Sequence, residues 1–265
     1  MTRMTRMRSR ELTDEERAVY EWQMLLPNFG DTAQRRLKAA SVLISRVGGV
    51  GGAVALQLAA AGVGRLVLAH AGDLKPSDLN RQLLQRHARI GLPRMDSILE
   101  QLKALNPRLD VVAVRENISA DNASELVRQA DVVVDAAPLF SERFALNKAA
   151  VQLRKPMVES AMYAFEAQLT TILPGTTPCL RCFVREAPAH WTRKFPVLGA
   201  VSGAVGCMAA VEVVKLLTGV GSTLAGVLLS MDLGTMEFRR LKIARATDCP
   251  ECAGLGEFSG AATDE

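Results

Sequence analysis

Apolar and polar positions along this chain follow two alternating periods. Short apolar runs at 41–46, 65–69, 110–115 and 131–135 are separated by stretches of helical spacing at 51–61, 93–105 and 120–129. Strands this apolar, alternating with helices, predict a parallel sheet covered on both faces, and the first strand–helix–strand unit is expected to cross over right-handed. Upstream, Thr13 with Glu16 forms a capping box that predicts a helix to about Leu25, and a second helix spans about Thr32 to Ala39. Downstream, a helix at 140–153 leads to strands near 156–162 and 166–173. Segments 224–231 and 236–243 alternate around Gly234 and predict a hairpin that extends the sheet antiparallel. The pattern is that of an α/β, Rossmann-like, doubly wound fold with a mainly parallel sheet and an antiparallel C-terminal extension. The apolar run Val197 to Leu217 is long enough for a bilayer, but Glu212 and Lys215 interrupt it, and Gly199, Gly203 and Gly206 suit close helix packing. It reads as a buried core helix, with Cys207 as a small core residue and no membrane span.

Composition narrows the picture. The 265 residues, 49% of them hydrophobic, suit one large domain, assigned to 11–252, with no second domain and no internal repeat. Lys plus Arg exceed Asp plus Glu by only 32 to 28, and four arginines lie in MTRMTRMRSR. A nucleic-acid partner is not expected without a clustered basic face. Residues 1–10 are expected to form a disordered basic tail and 253–265 a flexible one. The start shows no apolar signal region, so a cytoplasmic protein is expected.

The candidate chemistry begins at the first strand-to-helix turn. Gly48, Gly49 and Gly51 would let backbone N–H groups approach phosphate oxygens. The order Arg46-Val47-Gly48-Gly49-Val50-Gly51 lacks the usual first glycine, so Arg46 either contacts phosphate or fills the space. His70 stands where a ribose-binding acid is expected at the end of the second strand, either as an adenosine contact or as a satisfied histidine. His87 and His190 are expected to be exposed. On these residues alone, a phosphate cradle and a plain tight turn are equally good readings.

With Leu79-Asn80-Arg81-Gln82 added, the chain resembles the HesA/MoeB/ThiF family, the bacterial relatives of ubiquitin-activating enzymes. The resemblance runs from Tyr20-Glu21-Trp22-Gln23-Met24-Leu25-Leu26-Pro27-Asn28-Phe29-Gly30 through Ile90-Gly91-Leu92-Pro93-Arg94 and Val132-Val133-Val134-Asp135-Ala136-Ala137-Pro138 to two Cys-x-x-Cys pairs. It is closest to the HesA type through Pro156-Met157-Val158-Glu159 and Leu198-Gly199-Ala200-Val201-Ser202-Gly203. The resemblance implies binding of ATP and magnesium, adenylation of the C-terminal glycine of a ubiquitin-like sulfur-carrier protein, and a dimer. It assigns nucleotide binding to Gly48, Gly49, Gly51, Asn80, Arg81, Gln82, Arg94 and Asp135, with Arg81 as the catalytic candidate.

The departures from the family pattern are specific. Its partner-reaching arginine is Trp22, its ribose aspartate His70, an asparagine Asp78, a lysine Arg94, and its magnesium aspartate Pro138. A proline ring offers magnesium no side-chain oxygen. The expected function is therefore a carrier-binding protein with weak or absent adenylation of its own, either non-catalytic or dependent on a partner, as a homodimer or a heterodimer with a paralogue. The alternative is an active ATP- and Mg-dependent adenylyltransferase. A nicotinamide-dependent oxidoreductase fits least, because Asn80-Arg81-Gln82 has no role there. Trp22 is expected to pack at a subunit interface.

Cys179-Leu180-Arg181-Cys182 and Cys249-Pro250-Glu251-Cys252 each offer two thiolates from one short turn, and together they make the four-sulfur shell of a closed structural zinc site. Four sulfurs leave no open position for water, so the metal's role would be structural. Disulfides or a redox pair are the competing readings, disfavoured in a cytosolic setting. Cys207 is the one cysteine left, which makes covalent relay through this chain unexpected.

Overall fold

The structure, a computed structural model, describes residues 10–256. Residues 1–9 of the expected basic tail and 257–265 of the flexible one lie outside the described residues. Eight strands form one sheet in the order β3-β2-β1-β4-β5-β6-β7-β8. They are β1 Ser41–Ser45, β2 Arg65–Ala69, β3 Asp110–Val114, β4 Val132–Asp135, β5 Met157–Tyr163, β6 Glu166–Ile172, β7 Val227–Asp232 and β8 Glu237–Lys242. Pairing is parallel from β3 through β5 and antiparallel from β5 to β8. The α/β architecture and the antiparallel extension expected from the pattern are both present.

Side-chain alternation along the inner strands divides the core in two. Val42, Ile44, Leu66, Leu68, Val132 and Val134 face one side, and Leu43, Val67, Ala69 and Val133 the other. The first face packs under α3 (Gly30–Ala39), α4 (Gly49–Ala60), α5 (Arg94–Leu105) and α9 (Gly199–Thr218). The second packs under α6 (Ala123–Arg128), α7 (Phe140–Gln152) and α8 (Leu180–Phe183). At the N-terminus, the Thr13–Glu16 capping box opens α1 (Asp14–Val19). The expected single helix breaks at Tyr20, which closes α1 and opens the short α2 (Glu21–Met24), because its ring is buried against Gly62.

The central helix α9 is long and apolar enough to cross a membrane, yet half of it is buried inside the molecule. A Cβ on Gly206 would meet the Val50 carbonyl oxygen at 2.5 Å, so α4 and α9 touch backbone to backbone. Glu212, which interrupts the apolar run, is buried and accepts hydrogen bonds from the Thr171 hydroxyl and from the Leu224 amide at 2.8 Å, and pairs with Lys215. One expectation fails on this helix: Cys207 is exposed rather than a core residue. It shares an outward face with Ala200, Ala204 and Val211, because apolar content alone does not say which side of the helix is covered. The last strand, β8, is exposed along its whole length.

Candidate nucleotide cavity and metal centre

The strand order reverses between β1 and β4, and such a sheet opens its ligand crevice at the carboxyl ends of those strands. Ser45, Ala69 and Asp135 lie in one register row there. A cavity of about 570 Å³ begins at the next residues, with Arg46, His70 and 136–138 as its floor. The N-terminus of α4 (Gly48, Gly49, Val50) forms one wall. Residues 75–82 and Arg94 form another, and Arg193, Lys194, Phe195 and Val197 close the top.

Arg46 explains the missing glycine. Its φ of 63° is in the left-handed region where glycine is normally chosen. The arginine is held there by a buried bidentate pair, its Nε and Nη2 donating to the Glu142 carboxylate at 2.7 and 2.5 Å. A Cβ on Gly48 would make only ordinary contact with the Gln82 side chain at 3.8 Å, whereas one on Gly49 would meet the Ser202 hydroxyl at 2.7 Å and one on Gly51 would run into the Arg46 carbonyl. Gly51 thus serves the tightness of the strand-to-helix turn and does not line the cavity.

Asp78 organises the opposite wall. Its Oδ1 accepts from Gln82 Nε2 at 2.9 Å and Arg81 Nη2 at 3.2 Å. Its Oδ2 accepts from the Lys75 amide at 3.0 Å and faces Arg94 Nη2 at 3.4 Å. Arg81 also donates to the Ser77 carbonyl at 2.6 Å. Arg94 anchors on the Asp73 carbonyl at 2.5 Å and lies 3.3 Å from His70 Nε2. Burial, reinforced by the positive charges of Arg94 and Arg46, holds His70 neutral with its pKa lowered to about 3. His87 and His190 are exposed.

Of the residues expected at a nucleotide, Gly48, Gly49, Asn80, Arg81, Gln82 and Arg94 line the cavity, while Gly51 and Asp135 do not. Asp135 is fully buried beneath the floor, taking bonds from the Ala137 amide at 3.1 Å and Arg143 Nε at 3.1 Å. Burial pushes its carboxyl up even though Arg143 pulls it down. Pro138, at the expected magnesium position, offers only a carbonyl, which accepts the Trp191 indole N–H at 2.7 Å. Among the described residues Asp78 is the one carboxylate lining the cavity, and four donors occupy it. These residues do not fit a magnesium ion, which takes hard, uncommitted oxygens. Lys75, Arg193, Lys194 and Trp191 were not anticipated, since no motif covers the 184–197 loop that carries three of them.

In the core cluster on the second face of the sheet, the Sγ atoms of Cys179, Cys182, Cys249 and Cys252 all lie within 4.8 Å of one another. Cys179 and Cys249 approach to 3.6 Å, Cys182 and Cys252 to 3.4 Å, and all four are free thiols. The donor set fits tetrahedral zinc held by sulfur. Asn147 Oδ1 on α7 accepts the Leu180 amide at 2.9 Å and fixes the first turn. Beyond the second turn, residues 253–256, expected to open the flexible tail, fold back: Ala253 and Leu255 donate to the Cys249 and Cys252 carbonyls at 3.1 Å.

A second hollow, of about 390 Å³, lies on the open face of β5, β6 and β7 and shares Ala161 and Met162 with the first cavity. Trp191 stands at the junction, packed edge-on against Phe140 at 5.2 Å and against Phe195 at 5.1 Å.

Comparison with known proteins agrees with this architecture. The chain is 48% identical over 241 residues to the HesA heterocyst protein of Trichormus variabilis, covering 91% of this chain and 90% of that one. It is 37% identical over 249 residues to a sulfur carrier protein adenylyltransferase of Thermus thermophilus, covering 91% and 92%. In fold it is similar to a crystal structure of Escherichia coli MccB with MccA, with a TM-score of 0.81 at 20% identity, covering 92% of this chain and 76% of that one. The ThiF family model matches residues 20–251, and the chain belongs to the ThiF family.

Proposed function

We propose that this chain binds a ubiquitin-like sulfur-carrier protein and has weak or absent adenylation activity of its own, acting as a non-catalytic or partner-dependent subunit. The observation that carries the second half is the cavity's carboxylate inventory: Pro138 supplies no acid and its carbonyl is taken by Trp191, while Asp78 is saturated. Metal and cation clamps supply much of the stabilisation in attack on a phosphate, and each 1.4 kcal/mol lost costs about tenfold in rate. The carrier half is supported by the name of the Thermus thermophilus relative and by the hollow on β5–β7 that runs into the cavity beneath Trp191. An extended tail laid along that hollow would bring its terminal carboxylate to the cationic cavity. Gly48, Gly49, Asn80, Gln82 and Arg94 would surround a nucleotide and Arg81 would face its phosphates. Zinc is the structural ion of the four cysteines. Free thiols suit a reducing, cytoplasmic setting. Trp22, 84% exposed beside the exposed Leu25 and Leu26, would anchor a dimer or a heterodimer with a paralogue.

The second reading, an active ATP- and Mg-dependent adenylyltransferase, is favoured by the 37% identity to an enzyme of that name. Pyrophosphate exchange with ATP, magnesium and a carrier ending in Gly-Gly separates the two. Exchange at least about a hundredfold slower than that of an active relative is expected, from the loss of roughly 3 kcal/mol or more of transition-state stabilisation. A comparable rate would overturn the proposal, and failure of the carrier to bind in titration calorimetry would overturn its first half.

A further inference from the structure

Six cationic side chains line the nucleotide cavity: Arg46, Lys75, Arg81, Arg94, Arg193 and Lys194. Asp78 within the lining and Glu142 behind Arg46 pair with three of them, and Asp73 acts on Arg94 from outside the lining, which leaves an excess of three positive charges, or four within the lining and its ion pairs alone. Lys75, Arg193 and Lys194 hold no ion pair among the described residues. Burial and then the neighbouring Arg46 and Arg81 hold Arg193 below the usual guanidinium range, and burial with Arg46 and Arg193 does the same to Arg94 although Asp78 opposes it, so the cluster repels itself and an anion would relieve it. A triphosphate chain free of metal carries about four negative charges, and a divalent ion removes about two of them. The charge of the cavity is therefore closer to that of the free anion than to that of the metal-bound one.

We propose that this cavity takes a nucleoside triphosphate as the metal-free anion, with Arg81, Arg94, Arg193 and Lys194 in the place that a divalent cation holds in metal-dependent sites. The proposal deepens the reading above, on which the nucleotide scaffold is kept without its magnesium ligand. Guanidinium groups suit this work because their fixed donor forks bind phosphate oxygens two at a time and stay charged when half-buried. A magnesium ion arriving with the nucleotide would meet like charge on three sides and no uncommitted carboxylate. The apolar part of the lining, Ala136, Ala137, Met162, Phe195 and Val197, gives a nucleoside somewhere to lie and distinguishes it from a bare polyphosphate.

The test is calorimetric titration of the full chain with ATP at fixed ionic strength, once with excess EDTA and once with excess magnesium, beside inorganic tripolyphosphate in EDTA. ATP is expected to bind at least about tenfold more tightly in EDTA than in magnesium, and more tightly than tripolyphosphate. Arg193→Ala, on an exposed loop where folding is not at stake, should weaken the EDTA affinity about fivefold with its melting temperature unchanged. ATP binding that is tighter with magnesium, absent in both buffers, matched by tripolyphosphate, or indifferent to Arg193→Ala would each overturn the proposal. Its failure is separable from that of the functional reading: magnesium-tightened binding with slow exchange sinks only this inference, whereas rapid exchange sinks the reading it rests on.

Discussion

The pair Arg46–Glu142 allows a quantitative test of why an arginine stands where a glycine turn normally begins. Both side chains are about nine-tenths buried, at 11% and 7% exposure, and meet through two hydrogen bonds. Removing one partner of such a pair strands the other charge and costs about 3–5 kcal/mol. Glu142→Ala should therefore destabilise by roughly 3 kcal/mol or more. Arg46→Gly loses the same pair but also releases a left-handed non-glycine conformation, worth about 1 kcal/mol, so its net cost should be about 2–3 kcal/mol. The double variant strands no charge and restores the residue type the backbone prefers, so it should cost only about 1 kcal/mol. The resulting coupling energy is on the order of 4 kcal/mol, well above the roughly 0.5 kcal/mol within which independent sites add. Urea unfolding of the four proteins followed by circular dichroism measures it. Additive single costs, or a double variant less stable than either single one, would refute the reasoning that the ion pair and the strained backbone are one unit.

Other expectations are independent of that pair. Cys182→Ser should lose bound zinc by elemental analysis and lower the melting temperature by roughly 10 °C; unchanged metal content and melting would reject the zinc assignment. Gly206→Val drives a side chain into the Val50 carbonyl and should cost about 1–3 kcal/mol, whereas Gly203→Ala, with nothing within 4 Å of its new Cβ, should stabilise by about 0.5–1 kcal/mol; equal effects in thermal melts would contradict the α4–α9 contact. Burial raises the Glu159 carboxyl from 4.5 to about 7 despite Arg143. The folded chain thus keeps a proton that the unfolded chain releases first. Stability should fall as pH rises from about 4.5 to about 7 and level off above, by on the order of 1–3 kcal/mol. Glu159→Gln should flatten that slope in urea midpoints measured across the window, and an unchanged slope would assign it to other groups.

The fold was legible because each inner strand, such as Val132–Asp135, is too apolar to be anything but doubly covered, and α5 between β2 and β3 carries an amphipathic period while α4 is apolar all round. The site was legible only in part. Gly48, Asn80, Arg81, Gln82 and Arg94 stand in motifs whose spacing survives in the chain. Asp135 stands in one too, but its carboxylate turns beneath the floor to Arg143, a partner on the following helix that no spacing announces. Glu142 is 96 residues from Arg46, so the fate of that arginine is a tertiary fact. Arg193, Lys194 and Trp191 lie on a loop without period, where position comes from the Trp191 bond to Pro138 and its edge-on and tilted contacts with Phe140 and Phe195. Cys207 shows the opposite failure: a strong apolar signal identified the helix and hid which of its sides is bare.

Among the described residues nothing pairs with the outer edge of β8, which has a consequence for how molecules of this protein meet. An uncovered β edge displays a row of amide and carbonyl groups that can template a strand from a neighbour. On β8 that row is flanked by Arg239, Arg240 and Lys242. Glu237 answers Arg239 on the same strand, so β8 carries a net excess of two positive charges, and two such edges drawn together would repel, which works against runaway stacking.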